Sequence, residues 1–526
     1  MIRLVSAWVL VNGLLMAPTW VSAAVWDGSM PPWLSVEAAL IVGGMALLPR
    51  RPWSRVLAWV LAGAVVLSTV ALMADLVFRV SLGRPLNLSL DLYLLDAVYR
   101  LAVGNSGLLR TVLGLGALTV FGGLLLYTTA WLLTPFSRDE DSLLVHLVPM
   151  AGTRVILGAV VIALLGLGGS VPVGSFFVDQ VAEFQSTRLE RVAFAADLER
   201  QPRAFADQRG LLEGLNGHNV VLVYIESYGV AALEDPEFAA VTRPRLEAAA
   251  TLFQGAGLHL ATGRLASPTL GGQSWYAHGT MISGLWLENQ LRYELLLASE
   301  RETLVDDFRR AGYRTATLMP AITTAWPEAV LLGYDDVYTA QNIPYSGPPF
   351  YWVTMPDQFT WSFLGGLVRT ATTPLFLEVG MLSSHAPWSP VLPLVDWDDV
   401  QDGATFEPYR LEGYPPEEMW WDVDVLRDGY ARSLGYSLEA MTAFTERFLD
   451  EQTLLVVLGD HQAAPWVTGA SGADVPVHVI ARDSTVLEPF LDWEFQPGPF
   501  PPSGAATHRM DEFREWFVPA FSGEAR

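Results

Sequence analysis

Three apolar runs in the C-terminal half of the sequence each lead to an ionisable side chain. The run NVVLVYI is followed by Glu226, the run TLLVVLGD ends in Asp460 with His461 beside it, and TPLFLEVGML leads to His385. A single acid in such a place is ordinarily a helix cap or a solvated charge. Glu, Asp and His together form a mixed oxygen and nitrogen set that suits Mn²⁺, Zn²⁺ or Mg²⁺. The sequence therefore predicts a metal site with at least one coordination position open for catalysis.

The stretch LGGQSWYAHGTMISGL (270–285) places a small hydroxyl residue, Ser274, between a glycine pair and an apolar helix. Gly271 and Gly272 allow a tight turn, and the free amides and dipole of a helix N-terminus favour anions such as phosphate. A bound cation would lower the pKa of a nearby hydroxyl and activate it as a nucleophile, as it does for water. Taken alone, a Ser before a helix is far more often an N-cap.

The elements that must position these residues are short aliphatic runs separated by helical stretches, from residue 219 onward. Each run is apolar throughout, which is typical of strands covered on both faces. Strands separated by helices predict a mostly parallel, doubly wound α/β sheet, in which ligands bind beyond the carboxyl ends of the strands. The predicted strands are 219–225, 312–319, 373–382, 453–460 and 475–481.

The N-terminal part contains apolar runs close to the roughly 20 residues that a helix needs to cross a bilayer. We predict a membrane domain of about five transmembrane helices, although the first run also has the form of a signal peptide and the second is short enough to be re-entrant. The Arg-rich loop PRRPWSR places the N-terminus in the cytoplasm and the large C-terminal part outside it. The runs are 2–24, 35–49, 55–78, 109–135 and 154–175.

Composition narrows the classes of function further. The sequence is 51% hydrophobic and has no Cys, which excludes disulfides and thiolate metal sites. Its formal net charge of -24 argues against nucleic acid as a partner, whereas the high apolar content favours the lipid bilayer. Near the third run, Asp75, Arg79 and Asp91 could line a polar path, but charges that snorkel to the interface are the favoured interpretation.

Four motifs, NVVLVYIES, GGQSWYAHGTMISGL, SSHAPW and LVVLGDHQ, follow the apolar runs in this order. Together they resemble the sulfatase-like branch of the alkaline phosphatase superfamily, and within it the lipoteichoic acid synthases and other membrane phosphoglycerol transferases. The resemblance implies that Glu226, Asp460 and His461 are metal ligands. Ser274 falls where those synthases have a nucleophilic Thr, with ISGL matching their LTGL, which implies that Ser274 is both nucleophile and fourth ligand.

The positions that would contact substrate match the family only in part. His385 matches the histidine that contacts the substrate phosphate, and Trp326 matches a tryptophan of the glycerol phosphate pocket. The basic residue that precedes the nucleophile in the family is Gln273 here. The pocket's His, Asp and Arg are replaced by Met319, Ala321 and Glu328. The resemblance therefore covers the chemistry more fully than the substrate.

The activity that the resemblance implies is a phospho-alcohol transferase or phosphodiesterase acting on lipids or glycans of the cell envelope. Ser274 would form a phospho-serine intermediate, and water or an acceptor alcohol would complete the reaction. We expect one divalent ion, with Mn²⁺ as first choice and Zn²⁺ or Mg²⁺ as alternatives. True sulfatases use a formylglycine made from Cys or Ser in a Cys/Ser-x-Pro-x-Arg motif, which WYAH after Ser274 does not match. The alternatives are a hydrolase of simple phosphate or sulfate esters and a non-catalytic membrane regulator.

We therefore predict three parts: a transmembrane domain over 1–175, a helical juxtamembrane connector over 176–218, and an extracytoplasmic catalytic domain over 219–526 of a multi-pass plasma membrane protein. Two further histidines are more ambiguous. His278, on the helix after Ser274, is either a proton-transfer residue or a packed helical side chain, and packing is favoured. His478, inside a predicted strand, is expected to be a hydrogen-bonded core residue.

Overall fold

The computed structural model describes most of the chain and divides it into two compact units. One unit comprises Met1–Val80 with Arg84–Leu189, and the other Ser81–Gly83 with Glu190–Arg526. The described residues are 2–23, 32–49, 51–135, 150, 153–154, 158, 169–200, 203–410, 412–413, 415–420, 422–469 and 472–523.

The first unit is helical. Its helices are α1 (Ile2–Ser22), α2 (Val36–Leu47), α3 (Pro52–Leu82), α4 (Leu94–Ser106), α5 (Leu108–Leu133) and the start of α6 (Pro172–Arg200). Two-residue strands at Leu34–Ser35 and Gly169–Ser170 pair in parallel. Small side chains such as Ala7, Ala38 and Ala130 are buried where α1, α2 and α5 pack together, as is usual where helices approach closely in a membrane.

The predicted count of five membrane spans is not confirmed. Within the described ranges three helices, α1, α3 and α5, are long and apolar enough to cross a bilayer. The second predicted run forms α2, whose 12 residues reach only about 18 Å at 1.5 Å per residue, against a hydrocarbon core of about 30 Å. The fifth predicted run, 154–175, lies mostly outside the described residues.

The charged residues after the third run are paired. Asp75 accepts a hydrogen bond from Arg79 at 2.7 Å, one helical turn along α3. Asp91 accepts hydrogen bonds from both terminal nitrogens of Arg84, at 2.7 and 2.9 Å. Asp75 also accepts from the backbone amide of Leu86 at 2.9 Å. Local ion pairs and loop hydrogen bonds therefore account for these charges.

The second unit is an α/β domain built on a nine-stranded sheet. Its strands are β1 (Asn219–Ile225), β2 (His259–Ala266), β3 (Arg314–Met319), β4 (Asp336–Thr339), β5 (Leu375–Gly380), β6 (Thr453–Gly459), β7 (Asp474–Ala481), β8 (Gln496–Pro497) and β9 (His508–Arg509). The order is β8-β2-β7-β6-β1-β5-β3-β4, with β9 beside β2. Strands β6, β1, β5, β3 and β4 are mutually parallel, and β7 is antiparallel to both β6 and β2. The five predicted runs are all strands, in a mostly parallel sheet.

Helices cover both faces of this sheet. They are α7 (Ala231–Glu234), α8 (Pro236–Gly255), α9 (Ser274–Ser283), α10 (Gln290–Leu297), α11 (Leu304–Arg310), α12 (Glu328–Leu331), α13 (Asp357–Thr370), α14 (Pro416–Met419), α15 (Val423–Phe448), α16 (Pro465–Thr468), α17 (Glu488–Asp492) and α18 (Glu512–Ala520). Short 3₁₀ turns lie at Glu213–Leu215, Ala404–Tyr409 and Ser484–Leu487.

Each central strand contributes alternate side chains to two hydrophobic clusters. On β1, Val221 and Val223 pack with α8, α13 and α15, whereas Leu222 and Tyr224 pack with α9, α11 and α18. Burial on both faces explains why these strands are apolar at every position instead of every second one. It also fixes their register, because a slip by one residue would exchange the two faces.

Candidate active site

The carboxyl ends of the adjacent strands β1 and β6 deliver Glu226 and Asp460, and hydrogen bonds hold the two residues together. The backbone amide of Ser227 donates to Asp460 Oδ1 at 2.8 Å, and its hydroxyl donates to Glu226 Oε1, also at 2.8 Å. Ser227 has a φ of 59°, a left-handed conformation that costs a residue with a side chain about 1 kcal/mol. This strained conformation directs both donors of Ser227 at acidic side chains, the amide at Asp460 and the hydroxyl at Glu226.

The strand before Asp460 approaches the neighbouring chain too closely for any side chain. A Cβ on Gly459 would lie 1.8 Å from the carbonyl oxygen of Tyr228. This close approach brings the ends of β1 and β6 together, so that Asp460 Oδ1 accepts from the amide of Ser227. Asp460 Oδ1 also accepts from the backbone amide of the adjacent His461 at 2.7 Å.

His461 presents one ring nitrogen to both acids. Its Nδ1 lies 3.0 Å from the carbonyl oxygen of Gln462, so Nδ1 carries the proton for that bond and Nε2 is the ring nitrogen that faces the two acids. Nε2 lies 3.4 Å from Glu226 Oε1 and 3.6 Å from Asp460 Oδ2. The imidazole is 1% exposed, so the position of Nε2 is set by packing.

Ser274, on helix α9, contacts the same acid and histidine. Its Oγ lies 3.4 Å from Glu226 Oε2 and 3.3 Å from His461 Nε2. Ser274 is the first residue of α9, and the cap position belongs to Gln273, whose φ is 65° and whose side chain makes no capping bond. The N-cap interpretation of Ser274 is therefore wrong, because its hydroxyl faces the acids and the histidine.

The glycine pair forms the tight turn that the sequence predicts. Gly271 and Gly272 have φ values of 72° and 147°, which side-chain-bearing residues rarely adopt. Thr269 Oγ1 donates to the carbonyl of Gly272 at 2.6 Å and closes the turn. At the other end of α9, Gly284 has a φ of 67° and donates to the carbonyl of Thr280, which ends the helix. The helix is thereby held at both ends with Ser274 at the site.

The charges of the three side chains are strongly coupled. Burial would raise the pKa of Glu226, but the facing His461, the charge of His385 and the Ser227 hydrogen bond outweigh it and hold that pKa well below its usual range. Burial and the charge of Glu226 raise the pKa of Asp460 to about 6. Burial opposes protonation of His461, yet the charges of Asp460 and Glu226 raise its pKa to about 9.

This donor set fits a divalent cation. One ligand atom from each of Glu226, Asp460 and His461 lies within 4.8 Å of the others. Two carboxylates and one imidazole are the mixed set that suits Mn²⁺ or Zn²⁺. One buried and one partly buried acid facing a single imidazole also leave negative charge that a cation would compensate.

His385 lies in the loop after β5, on the same side of the sheet as Glu226, whose pKa its charge lowers. Its Nδ1 lies 2.7 Å from the carbonyl oxygen of Ala386, and its ring is tilted against Trp352 with centroids 6.0 Å apart. The preceding Ser384 donates its hydroxyl to the carbonyl of Glu226 at 2.6 Å. The His385 loop is therefore fastened directly to the residue that follows β1.

Comparison with known protein families agrees with this arrangement. Residues 218–474 match the family model described as Sulfatase, and this span includes Glu226, Ser274, His385, Asp460 and His461. The match covers just under half of the chain. A search of the curated proteins finds no match.

Several solved structures are similar to this chain. The phosphoethanolamine transferase EptA from Neisseria meningitidis is 14% identical over 93% of this chain and 87% of its own, with a TM-score of 0.47. The lipoteichoic acid synthase LtaP from Listeria monocytogenes is 11% identical over 50% and 65%, with a TM-score of 0.34. The phosphoglycerol transferase GacH from Streptococcus pyogenes is 13% identical over 55% and 74%, with a TM-score of 0.35.

Trp326 lies apart from the other predicted site residues. It lies in the loop after β3 and packs, partly buried, against the cluster beneath α9. Among the described residues it makes no hydrogen bond or ring contact with Ser274 or the ligand set. A role for Trp326 in binding substrate stays a prediction.

Glu378 and Asp357 are buried acids near this site that the sequence analysis did not identify. Glu378 lies within a run interpreted as apolar throughout. Its side chain is 2% exposed, and its Oε1 lies 3.1 Å from Nδ1 of His278. Asp357, the first residue of α13, accepts from the backbone amides of Leu382 and Ser383 at 2.7 and 2.8 Å. A charged residue inside an apolar run was the signal available for Glu378, whereas nothing in the sequence marks Asp357.

His478 is the core residue that the sequence predicts. On β7, its Nε2 lies 3.0 Å from the hydroxyl of Tyr228 and its Nδ1 lies 3.1 Å from the hydroxyl of Thr262. Burial lowers the pKa of His478 to about 4, so the ring is neutral near pH 7. Both ring nitrogens have partners within the core, away from the ligand set.

Proposed function

We propose that this chain is a membrane-anchored, metal-dependent enzyme that transfers or hydrolyses a phospho-alcohol group of cell-envelope lipids or glycans through Ser274. The observation that carries the proposal is the position of Ser274 Oγ, 3.4 Å from Glu226 Oε2 and 3.3 Å from His461 Nε2 at the start of a helix. A hydroxyl, an open-sided ligand set and free helix amides are the parts needed for phosphoryl transfer to an enzyme nucleophile.

Glu226, Asp460 and His461 would hold the cation, and Ser274 would be its fourth ligand. A bound divalent ion supplies two things, a lower pKa for a nearby hydroxyl and compensation for the charge of a phosphoryl group. The ligand chemistry suits Mn²⁺, with Zn²⁺ and Mg²⁺ as alternatives. Ser227 would orient two of the ligands, and the carbonyl of Gln462 accepts from Nδ1 of His461, so that Nε2 is the ring nitrogen left to bind a cation in place of its proton.

The reaction would take place in two displacements. The Ser274 hydroxyl would lose its proton to solvent, and Oγ would form a bond to phosphorus while the bond to the alcohol oxygen of the donor breaks, which leaves a phospho-serine and, once that oxygen is protonated, the free alcohol. The first amides of α9 and the imidazole of His385 would contact the phosphoryl oxygens and offset their charge. An acceptor alcohol or water then attacks phosphorus and releases Ser274. An acceptor alcohol makes the enzyme a transferase, and water makes it a hydrolase.

The apolar helices support a lipid-borne donor. Helices α1, α3 and α5 are each long enough to cross a bilayer, which would keep the site close to a membrane substrate. We place the α/β domain on the extracytoplasmic side, because the Arg-rich loop 49–55 favours the cytoplasm. The division into a membrane domain (1–175), a connector (176–218) and a catalytic domain (219–526) remains part of this proposal.

Intact mass spectrometry of the full-length protein in detergent tests the proposal. The purified chain is loaded in turn with Mn²⁺, Zn²⁺ and Mg²⁺, its metal content is measured, and it is incubated with a bacterial membrane lipid extract. We expect one bound ion per chain and a phosphoryl or phospho-alcohol adduct on Ser274, whose mass identifies the transferred group. Ser274→Ala should retain the metal and form no adduct. A folded wild-type protein with no metal and no adduct under all three ions would overturn the proposal.

Soluble substrates separate the reaction classes. An aryl phosphate monoester, an aryl phosphodiester and an aryl sulfate release the same phenolate, so their rates compare directly. Faster turnover of the diester supports the proposed class. Preference for the monoester or the sulfate would assign the α/β domain to simple ester hydrolysis instead.

A further inference from the structure

A buried acid lies inside the sheet beneath the helix that begins with Ser274. Glu378 is in the centre of β5, paired with Leu222 of β1 on one side and Thr317 of β3 on the other. Its side chain is 2% exposed and is on the same face as Phe376, the face against which α9 packs. A carboxylate in such surroundings costs several kcal/mol unless its oxygens are hydrogen-bonded or paired.

Both carboxylate oxygens of Glu378 have partners. Oε1 lies 3.1 Å from Nδ1 of His278, and Oε2 accepts a hydrogen bond from the hydroxyl of Tyr334. Burial and then the charge of Glu378 raise the pKa of Tyr334 far above its usual range, so its hydroxyl remains a donor. With Oε1 facing Nδ1 of His278, Glu378 is placed to accept a hydrogen bond from that nitrogen and so to keep a proton on Nδ1.

His278 is one turn of α9 beyond Ser274. A separation of four residues puts both side chains on the same face of the helix, about 6 Å apart along its axis. Helical side chains lean toward the N-terminus, so the imidazole extends over the turn that starts at Ser274. Its ring stacks on Tyr224, with centroids 3.8 Å apart, and Tyr224 is two residues before Glu226 on β1. The ring therefore lies between the sheet and the turn that carries the nucleophile.

The side chain of His278 is also partly open. It is 15% exposed, whereas its neighbours Ala277 and Gly279 are buried. Its charge lowers the pKa of Asp460, which puts the ring within electrostatic reach of the ligand set. With Nδ1 turned toward Glu378, the opposite ring atom, Nε2, is the one left for a proton acceptor or donor outside the core.

We propose that His278 is a further catalytic residue, which transfers protons to and from the substrate oxygens while Glu378 and Tyr334 fix its orientation. This inference rests on the proposed phosphoryl transfer through Ser274. In the first displacement, Nε2–H gives its proton to the alcohol oxygen as the bond between that oxygen and phosphorus breaks. In the second, Nε2 takes the proton of the attacking alcohol or water as its oxygen bonds to phosphorus and Ser274 leaves. Glu378 keeps its contacts with Nδ1 of His278 and with the hydroxyl of Tyr334 throughout.

The leaving group provides the test, because an alkoxide needs a proton to leave and a 4-nitrophenolate does not. The rate of adduct formation on Ser274 is measured in a single turnover with two donors, the membrane lipid extract and bis(4-nitrophenyl) phosphate. For His278→Gln we expect the rate with the lipid donor to fall about 100-fold, the usual contribution of a general acid, and the rate with the aryl donor to change less than threefold. Equal slowing with both donors would overturn the proposal and leave His278 a packing residue.

Two further variants keep the test decisive. Glu378→Gln should show the same selective loss, because a neutral amide no longer compensates the charge of a ring protonated on both nitrogens, the form that gives up Nε2–H in the first displacement. If His278→Gln does not fold, the same comparison of the two donors in Glu378→Gln decides the matter. His508→Gln is the matched control, since His508 and Glu512 form a similar pair at 2.9 Å outside the site, and it should leave both rates unchanged. A wild-type protein that forms no adduct with either donor contradicts the proposed function instead.

Discussion

Ser274 Oγ and His461 Nε2 lie 3.3 Å apart although 187 residues separate them in the sequence. The contact joins the start of helix α9 to the carboxyl end of strand β6. It depends on the hydrogen bonds and backbone conformations that place each side chain, and the residues that provide them can be tested by substitution.

Ser227 allows hydrogen bonding to a ligand to be separated from backbone strain. Ser227→Gly removes the hydroxyl that donates to Glu226 Oε1 but suits the φ of 59°. We expect the affinity for Mn²⁺ to fall about 10-fold, as for other residues that orient metal ligands, with no loss of thermal stability. Ser227→Ala loses the same hydroxyl without relief of the strain, so it should bind Mn²⁺ equally weakly and unfold at a lower temperature. Calorimetric titration and thermal scans measure both, and unchanged affinity in the two variants would contradict the prediction.

Asp357 holds the loop that leads to His385. Its Oδ1 accepts from two backbone amides and its Oδ2 accepts from the hydroxyl of Ser437 at 2.6 Å. Burial raises the pKa of Asp357, so keeping it ionised near pH 7 costs stability, and that cost grows as the pH rises through the raised pKa. Asp357→Asn should therefore be at least as stable as the wild type at pH 7 and should keep the loop in place.

Asp357→Ala is the contrasting variant. It leaves the amides of Leu382 and Ser383 without their acceptor, at about 1 to 3 kcal/mol for each group. We expect a lower unfolding temperature and faster hydrogen exchange in the His385 loop. Equal protection of that loop in the Ala and Asn variants would show that Asp357 does not position it.

His478 predicts how stability changes with pH. Its pKa is about 4 in the folded protein against an ordinary 6.5, so between these values the unfolded chain binds a proton that the folded protein does not. The free energy of unfolding should therefore decrease as the pH falls from 6.5 to 4, by roughly 3 kcal/mol from this residue alone. His478→Gln keeps polar partners for Tyr228 and Thr262 but does not titrate. Hydrogen exchange of the peptide covering β7 should lose the corresponding part of its pH dependence, and an unchanged slope would refute the assignment.

A buried ion pair joins α11 to α18. Arg514 Nε donates to Asp307 Oδ2 at 2.7 Å, with both side chains at most 1% exposed. Asp307→Ala should lower the free energy of unfolding by about 3 to 5 kcal/mol, because it leaves a buried guanidinium without its acid. The exposed pair Arg432 and Asp428 serves as the control, and Asp428→Ala should cost less than about 1 kcal/mol. Similar losses for the two variants, measured by chemical denaturation, would contradict the distinction.

The sequence by itself determined the class of the second unit and the chemistry at its sheet edge. Strands buried on both faces must be apolar at every position, so the runs at 219–225 and 453–460 were recognisable without long-range information. Glu226, Asp460 and His461 follow such runs directly, and parallel strands bring their carboxyl ends to one edge. The mixed strand at His259–Ala266 was missed, because it has no such run.

Only the tertiary structure decided which residues far apart in the sequence come into contact and which partners each polar group has. It showed that Gln273 is the cap position and that the Ser274 hydroxyl points at the ligands. It also showed why Glu378 is tolerated in an apolar strand, since its partners, His278 and Tyr334, come from distant elements and a buried carboxylate is stable only when such partners surround it. Hydrophobicity along the chain reports burial, but it does not report which polar groups meet once the chain is folded.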